Sequence, residues 1–146
     1  MRTVAAALIL IAHLSYYNPA LCGVSPINCF NPQTWWHMSA GTDARHWFGR
    51  ALACPQEFAL GSHWTLPSIR SNGGGIPSQS WVCLDRGGMV ITRVAGDGTI
   101  TVILDLLYQH PIVSNTVKVE YRGPLPHALL ARVERMRESC SGKVRC

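Results

Sequence analysis

Two aspartates, Asp85 and Asp105, end or interrupt apolar runs that have the composition of buried β-strands. Asp is depleted from strand interiors, so its presence within Val-Ile-Leu-Asp-Leu-Leu requires a reason. One reason is structural, because a carboxylate at a strand end can accept hydrogen bonds from nearby backbone N–H groups. The other is functional, because a carboxylate that points into a cleft can transfer protons. Both interpretations remain open at this level.

The segments that carry the two aspartates run from Trp81 to Arg93 and from Gly98 to Leu107. The Asp97-Gly98 pair between them predicts a hairpin turn. Further strands are predicted within residues 46–66 and at residues 115–121, where apolar and charged residues alternate. Short strands separated by turn residues predict an all-β barrel or sandwich. The Gly-, Ser- and Pro-rich residues 67–80 predict a flexible surface loop.

The two ends of the chain differ from this centre. Residues 23–45 contain Trp35 and Trp36 and predict an N-terminal arm, whose tryptophans cover a barrel end or stack on a sugar ring. Beyond Pro126, apolar residues recur at helical spacing, which predicts a C-terminal helix and tail over residues 123–146.

The first residues resemble a secretory signal. Arg2 precedes an apolar run from Val4 to Leu14, which is shorter than the roughly 20 residues of a membrane-spanning helix. Small residues at Ala20 and Cys22 fit a cleavage site. The sequence therefore predicts a signal peptide over residues 1–22, export, and no stable membrane span after cleavage.

Six cysteines in 146 residues also indicate a secreted protein, extracellular or periplasmic, because disulfides persist in oxidising compartments. Cleavage after Cys22 leaves five cysteines, so one is either free or paired with a cysteine of another chain. We expect a monomer unless that intermolecular pairing forms. Cys140 and Cys146 could close a small loop, while the fate of Cys22 and Cys29 stays open. No spacing matches a zinc site, so neither a metal nor a cofactor is predicted.

The net charge of +5 suits an anionic polymer such as a bacterial wall. The charge is dispersed, without a run of Lys or Arg, and does not predict a nucleic-acid partner.

Three short motifs occur in the order expected of a known family: Ala59-Leu-Gly-Ser62, Asp85-Arg-Gly-Gly-Met-Val90 and Asp105-Leu-Leu107. Over residues 49–121 the chain resembles the 3D domain, the double-psi β-barrel module of MltA-type lytic transglycosylases and resuscitation-type cell-wall proteins. The resemblance implies a six-stranded double-psi barrel over residues 46–122. It also implies that Cys54 and Cys83 lie on neighbouring strands, where they would form a disulfide.

The chain departs from the family pattern in three ways. Cys54 stands where the family has its first Asp, Arg86 replaces a Thr, and the interval between Asp85 and Asp105 is longer. These departures leave open whether the protein is an enzyme.

The resemblance implies action on peptidoglycan or another cell-wall polysaccharide, without a cofactor. In this family the last Asp acts as general acid and then as base, and that position corresponds to Asp105. Asp85 would orient substrate or raise the pKa of Asp105, while Arg86 would bind a substrate carboxylate or neutralise Asp85. The alternative is a non-catalytic wall- or carbohydrate-binding barrel, expansin-like, with Trp64 and Trp81 among its sugar-stacking aromatic residues.

Overall fold

The computed structural model describes residues 7–21, 36–113 and 116–142. These residues contain one α-helix, α1 (His127–Cys140). They also contain nine strands: β1 (Ala7–Tyr17), β2 (Ala51–Ala53), β3 (His63–Leu66), β4 (Ile69–Ser71), β5 (Gly74–Ile76), β6 (Gln79–Asp85), β7 (Thr92–Val94), β8 (Ile100–Leu107) and β9 (Thr116–Arg122).

Six strands form a closed barrel in the order β1-β9-β3-β6-β2-β8, and a β1–β8 pairing closes the ring. β1 pairs in parallel with β8 and antiparallel with β9. β6 repeats this arrangement, parallel to β2 and antiparallel to β3. The two halves of the barrel therefore share one pairing scheme, and the prediction of an all-β, six-stranded barrel is confirmed.

β1 coincides with the apolar run that predicts a signal peptide. Its residues pair with β8 along one edge and with β9 along the other, from Ala7 to Tyr17. Leu10, Ala12 and Leu14 are buried in the barrel interior. The barrel therefore includes a closing strand that lies before the predicted range of residues 46–122. Cleavage near Cys22 would remove that strand from the barrel.

The barrel interior is filled by side chains that alternate along each strand, as the pleat requires. Trp64, Trp81 and Tyr121 are its largest residues and are fully buried. Phe58, Trp64 and Tyr121 pack edge to face, each pair of ring centroids 4.9 Å apart. Such a core fixes the strands relative to one another.

A second apolar cluster covers part of the outer face of β2, β6 and β8. Its buried members are Met38, Ala44, Ala51, Leu84 and Leu107. Met38 and Ala44 belong to the segment 36–48, which therefore packs against the outside of the barrel. This placement agrees with a packed N-terminal arm for the part that the structure describes.

β7 lies beside β8, outside the closed ring, and forms the predicted hairpin through Asp97-Gly98. Gly98 has φ +87°, a conformation that glycine adopts without steric cost. The predicted 67–80 loop instead contains the β4–β5 hairpin.

Helix α1 begins after Pro126, as predicted, and buries Leu129 and Val133. No helix in the described ranges has the length and apolarity needed to cross a membrane.

Candidate functional site

Asp85 and Asp105 lie on the same face of the barrel wall. Ala53 of β2 pairs with Asp85 of β6 on one side and with Asp105 of β8 on the other. The Asp97-Gly98 turn predicts that the two strands that carry the aspartates are neighbours. In the structure they are not adjacent, because β2 lies between them. With neighbouring strands about 4.8 Å apart, the two Cα atoms are roughly 10 Å apart. The residue between them in the register, Ala53, has a small side chain.

An irregularity in β6 explains why Asp85 faces outward. Leu52 pairs with Cys83, whereas the next residue, Ala53, pairs with Asp85, so Leu84 is an extra residue on β6. Regular alternation from Cys83 would turn Asp85 into the apolar barrel interior. The bulge instead brings it to the outer face beside Ala53, a function that bulges commonly have near active sites.

The Asp85 carboxylate accepts four hydrogen bonds and is held firmly in place. Its Oδ1 atom accepts from the Ser39 amide at 3.0 Å, the Ser39 hydroxyl at 2.9 Å and the Arg86 amide at 2.9 Å. Its Oδ2 atom accepts from the Tyr17 hydroxyl at 3.1 Å. These donors come from β1, the 36–48 segment and the residue after β6, so three separate parts of the chain meet at this carboxylate.

Tyr17 stays a neutral hydrogen-bond donor. Burial raises the pKa of its hydroxyl far above the usual value, and the negative charges of Asp85 and Asp105 raise it further. Because both carboxylates affect the same hydroxyl, Tyr17 lies within electrostatic reach of the two acidic groups. Its hydroxyl therefore bonds to Asp85 and lies within electrostatic reach of Asp105.

Asp105 has a different environment from Asp85. Its Oδ1 atom accepts a hydrogen bond from the Ser15 hydroxyl at 3.0 Å. Burial raises the pKa of the Asp105 carboxyl to about 6, and the charge of Asp85 adds to this rise, while the Ser15 bond opposes it. A carboxyl group with such a pKa exchanges its proton close to neutral pH, which is the property of a general acid–base residue.

The two carboxyl groups thus differ in a way that separates their chemical roles. Among the described residues, Asp85 accepts bonds from four donor groups, whereas Asp105 accepts one and titrates near neutrality. Pairs of acids in unlike environments commonly divide into a proton-transfer group and an electrostatic partner. The arrangement combines a carboxyl group that titrates near neutral pH with a fixed carboxylate, which is what acid–base chemistry requires.

Trp64 and Trp81 do not belong to this site. Both are 0% exposed, in the barrel interior. The Trp64 indole donates to the Ser62 hydroxyl at 3.1 Å. The prediction that these two residues contact substrate is therefore wrong, because their rings form the core that supports the strands.

Arg86 touches the site through its backbone. Its guanidinium Nη1 atom donates to the carbonyl oxygens of Cys54 at 3.2 Å and Pro55 at 2.6 Å. Among the described residues it forms no ion pair with Asp85, so the second predicted role of this side chain, neutralising that carboxylate, finds no support in the described geometry.

The Cys54–Cys83 disulfide joins the end of β2 to β6, with Cα atoms 5.8 Å apart. This pairing, implied by the family resemblance, is confirmed. The cross-link lies directly beside the bulge and fixes β2 against β6 where Ala53 meets Asp85. Cys140 is also disulfide-bonded, but the predicted pairing with Cys146 lies outside the described residues, as do Cys22 and Cys29.

Ser15, Tyr17 and Ser39 are site residues that the sequence reasoning missed. Ser15 and Tyr17 lie within residues 1–22, for which the sequence predicts a signal peptide. A signal for them exists, because His13 and Ser15 alternate with Ala12 and Leu14 in the two-residue period of a strand. Ser39 gives no such signal, since only the packing of its segment brings it to Asp85.

Within the described ranges, no group of three His, Cys, Asp or Glu side chains is arranged to hold a metal ion. Comparison of the chain with protein-family models, with curated proteins and with solved structures finds no match. The likeness to the 3D domain therefore depends on the three short motifs alone.

Proposed function

We propose that this protein cleaves the glycan strands of peptidoglycan by lytic transglycosylation, with Asp105 as the general acid and base. The observation that carries the proposal is the pKa of about 6 at Asp105, beside the fixed carboxylate of Asp85. We further propose a secreted location, extracellular or periplasmic, since the Cys54–Cys83 disulfide suits an oxidising compartment.

In the proposed reaction the protonated Asp105 carboxyl donates its proton to the glycosidic oxygen, and the bond from that oxygen to the anomeric carbon breaks. A hydroxyl of the same sugar then bonds to the anomeric carbon and closes an anhydro ring. Its proton passes to the Asp105 carboxylate, which restores the starting state. One titrating group performs both transfers, and no water molecule is consumed.

Asp85 serves this reaction as a fixed negative charge. Positive charge develops on the sugar ring as the glycosidic bond breaks, and a preorganised carboxylate stabilises it. Retaining glycosidases use a second carboxylate as nucleophile, about 5 to 5.5 Å from the acid. Both oxygens of Asp85 accept hydrogen bonds, which makes it a poor nucleophile. This favours a mechanism with a single proton-transfer residue.

A second candidate is a non-catalytic wall- or carbohydrate-binding barrel. The observation that favours it is Cys54, which is committed to a disulfide at the position where the resembling family has a further Asp. A site with one carboxylate fewer could retain glycan binding without cleavage.

Incubation of the purified protein with peptidoglycan, followed by mass spectrometry of the released fragments, tests the proposal. Cleavage should release anhydro-muropeptides, and Asp105→Asn should abolish their release. Asp97→Asn, at an exposed turn on the same hairpin, is the matched control and should retain activity. Sedimentation of the protein with peptidoglycan without fragment release would support the binding module instead.

A further inference from the structure

The outer face of β1 changes from polar to apolar along the strand. Leu10 and Leu14 are buried in the barrel interior, so the residues that alternate with them point outward. Toward the end of β1 the outward residue is Ser15, whereas toward its start the outward residues are Ile9 and Ile11. Ile9 is 68% exposed. The start of β1 therefore presents apolar side chains on both of its faces.

A cavity of about 280 Å³ lies at this end of β1. The parallel pairing of β1 with β8 begins at Ile11 and Thr101, whereas the pairing of β1 with β9 begins four residues earlier, at Ala7. On the other side of β8, the chain turns through the Asp97-Gly98 hairpin. The cavity is lined by residues 8–11, residues 98–100 and Lys118. It therefore lies where β1 extends beyond its pairing with β8.

Lys118 is the one charged side chain in the described lining of this cavity. It is exposed, and within residues 7–21, 36–113 and 116–142 its ammonium has no ion-pair partner. The acid of the same strand, Glu120, is paired with Arg122 at 2.8 Å. At the hairpin turn, the charge of Arg137 acts on the Asp97 carboxylate. The charge of Lys118 therefore remains available to an anion at the edge of an apolar cavity.

The position and the volume of the cavity limit what it can hold. Asp105 follows Thr101 by four residues, which is about 13 Å along a strand, so the cavity is separate from the two aspartates. At about 30 Å³ for each water-sized group, the cavity holds on the order of nine non-hydrogen atoms. A concave space of this size accommodates one short alkyl chain, whereas a bilayer or a second copy would contact protruding surface.

We propose that this cavity binds a single-chain anionic amphiphile, such as a medium-chain fatty acid. The alkyl chain lies against Ile9, Ile11 and Ile100, and the carboxylate faces the ammonium of Lys118. Burial of apolar surface supplies most of the affinity, and the ion pair sets the orientation of the chain. Because the ligand contacts both β1 and the start of β8, it stabilises the closure of the barrel. The proposal does not depend on the proposed cleavage of peptidoglycan.

The test is an NMR titration of the 146-residue chain with octanoate. The amide signals of residues 8–11, Thr99 and Lys118 should shift and saturate, and the melting temperature should rise with octanoate concentration. Each buried methylene strengthens binding by about fourfold, so octanoate should bind at least about tenfold more tightly than butanoate. Octyltrimethylammonium has the same chain with the opposite charge and should bind at least about threefold more weakly than octanoate.

Two pairs of variants separate the charge from the apolar wall. Lys118→Gln should abolish the preference for octanoate over the cation, whereas Arg135→Gln removes a charge from an exposed position of α1 and should retain it. Ile9→Thr should weaken the binding of octanoate by about threefold or more. Ile91→Thr makes the same change at a partly exposed isoleucine outside the cavity lining and should leave the affinity unchanged. The melting temperature of each variant without ligand checks that its fold is intact.

Saturable shifts confined to the cavity lining, weakened by Ile9→Thr and without charge preference in Lys118→Gln, would support the proposal. Shifts elsewhere, equal affinity for octanoate and butanoate, or a charge preference that survives Lys118→Gln would overturn it. Binding to phosphatidylglycerol vesicles without binding to octanoate would also overturn it and assign this face to a bilayer. A concentration-dependent dimer that shifts the same amides, again without octanoate binding, would assign the face to a second copy of the chain.

Discussion

Replacement of Asp105 by Asn should stabilise the protein at neutral pH while it removes the proposed activity. Burial, with a further contribution from the charge of Asp85, raises the pKa of this carboxyl from 3.8 to about 6. The folded state therefore binds the proton more tightly than the unfolded state, and stability falls as the pH rises from about 4 through about 6. At about 1.4 kcal/mol per pH unit, the difference between the two pKa values corresponds to about 3 kcal/mol. An Asn side chain carries no charge and can still accept the Ser15 hydrogen bond, so the variant avoids this loss.

Urea unfolding of both proteins between about pH 4 and about pH 8 measures the effect. The free energy of unfolding of the variant should match that of the parent at the acidic end and exceed it by about 3 kcal/mol above pH 7. Asp97→Asn is the control of opposite sign, because the Thr99 amide holds the pKa of Asp97 below its usual value. Loss of the Asp97 carboxylate should therefore lower the free energy of unfolding at neutral pH, and leave it unchanged under acidic conditions, where the carboxyl is protonated. A difference for Asp105→Asn that is constant with pH, or that grows toward acidic pH, would refute the reasoning.

Three further perturbations address the supports of the site. Tyr17→Phe removes a hydrogen-bond donor to Asp85 and should lower the free energy of unfolding by about 1 to 2 kcal/mol. It should also reduce the release of anhydro-muropeptides. Unchanged stability would show that the Tyr17–Asp85 hydrogen bond does not stabilise the fold. Replacement of Cys54 and Cys83 together by Ala should cost about 3 to 4 kcal/mol in urea unfolding, because the disulfide closes a loop with a sequence separation of 29; an unchanged midpoint would show that the cross-link adds nothing to stability. A chain without residues 1–21 lacks β1 and should show no cooperative thermal transition, since β8 and β9 would each lose a partner strand; a sharp transition would mean that the barrel closes without β1.

The predictions that succeeded depend on local patterns. Alternation in β9, the Asp97-Gly98 turn and the spacing of Leu129 and Val133 in α1 involve residues that are close in sequence. Their conformations follow from steric preferences and from the burial of one face, so they can be recognised without knowledge of the partners. The Cys54–Cys83 pairing was available from motif order, because the resemblance fixed which strands are neighbours.

Other assignments depend on what surrounds a segment. An apolar run such as Ala7–Tyr17 has the same composition whether it forms a signal peptide or a barrel strand. The pairing with β8 and β9, distant in sequence, makes it a strand. Trp64 and Trp81 likewise could lie inside or outside the barrel, and only closure of the ring places their rings in the interior.

The amino-acid sequence by itself determined that this is an all-β protein with a C-terminal helix and two aspartates in unusual strand positions. The tertiary structure alone decided what those aspartates can do. A single extra residue in β6 turns Asp85 to the outer face, and β2 separates it from Asp105. Burial by surrounding elements then sets the proton affinity of Asp105, a property of three-dimensional environment that no local pattern encodes.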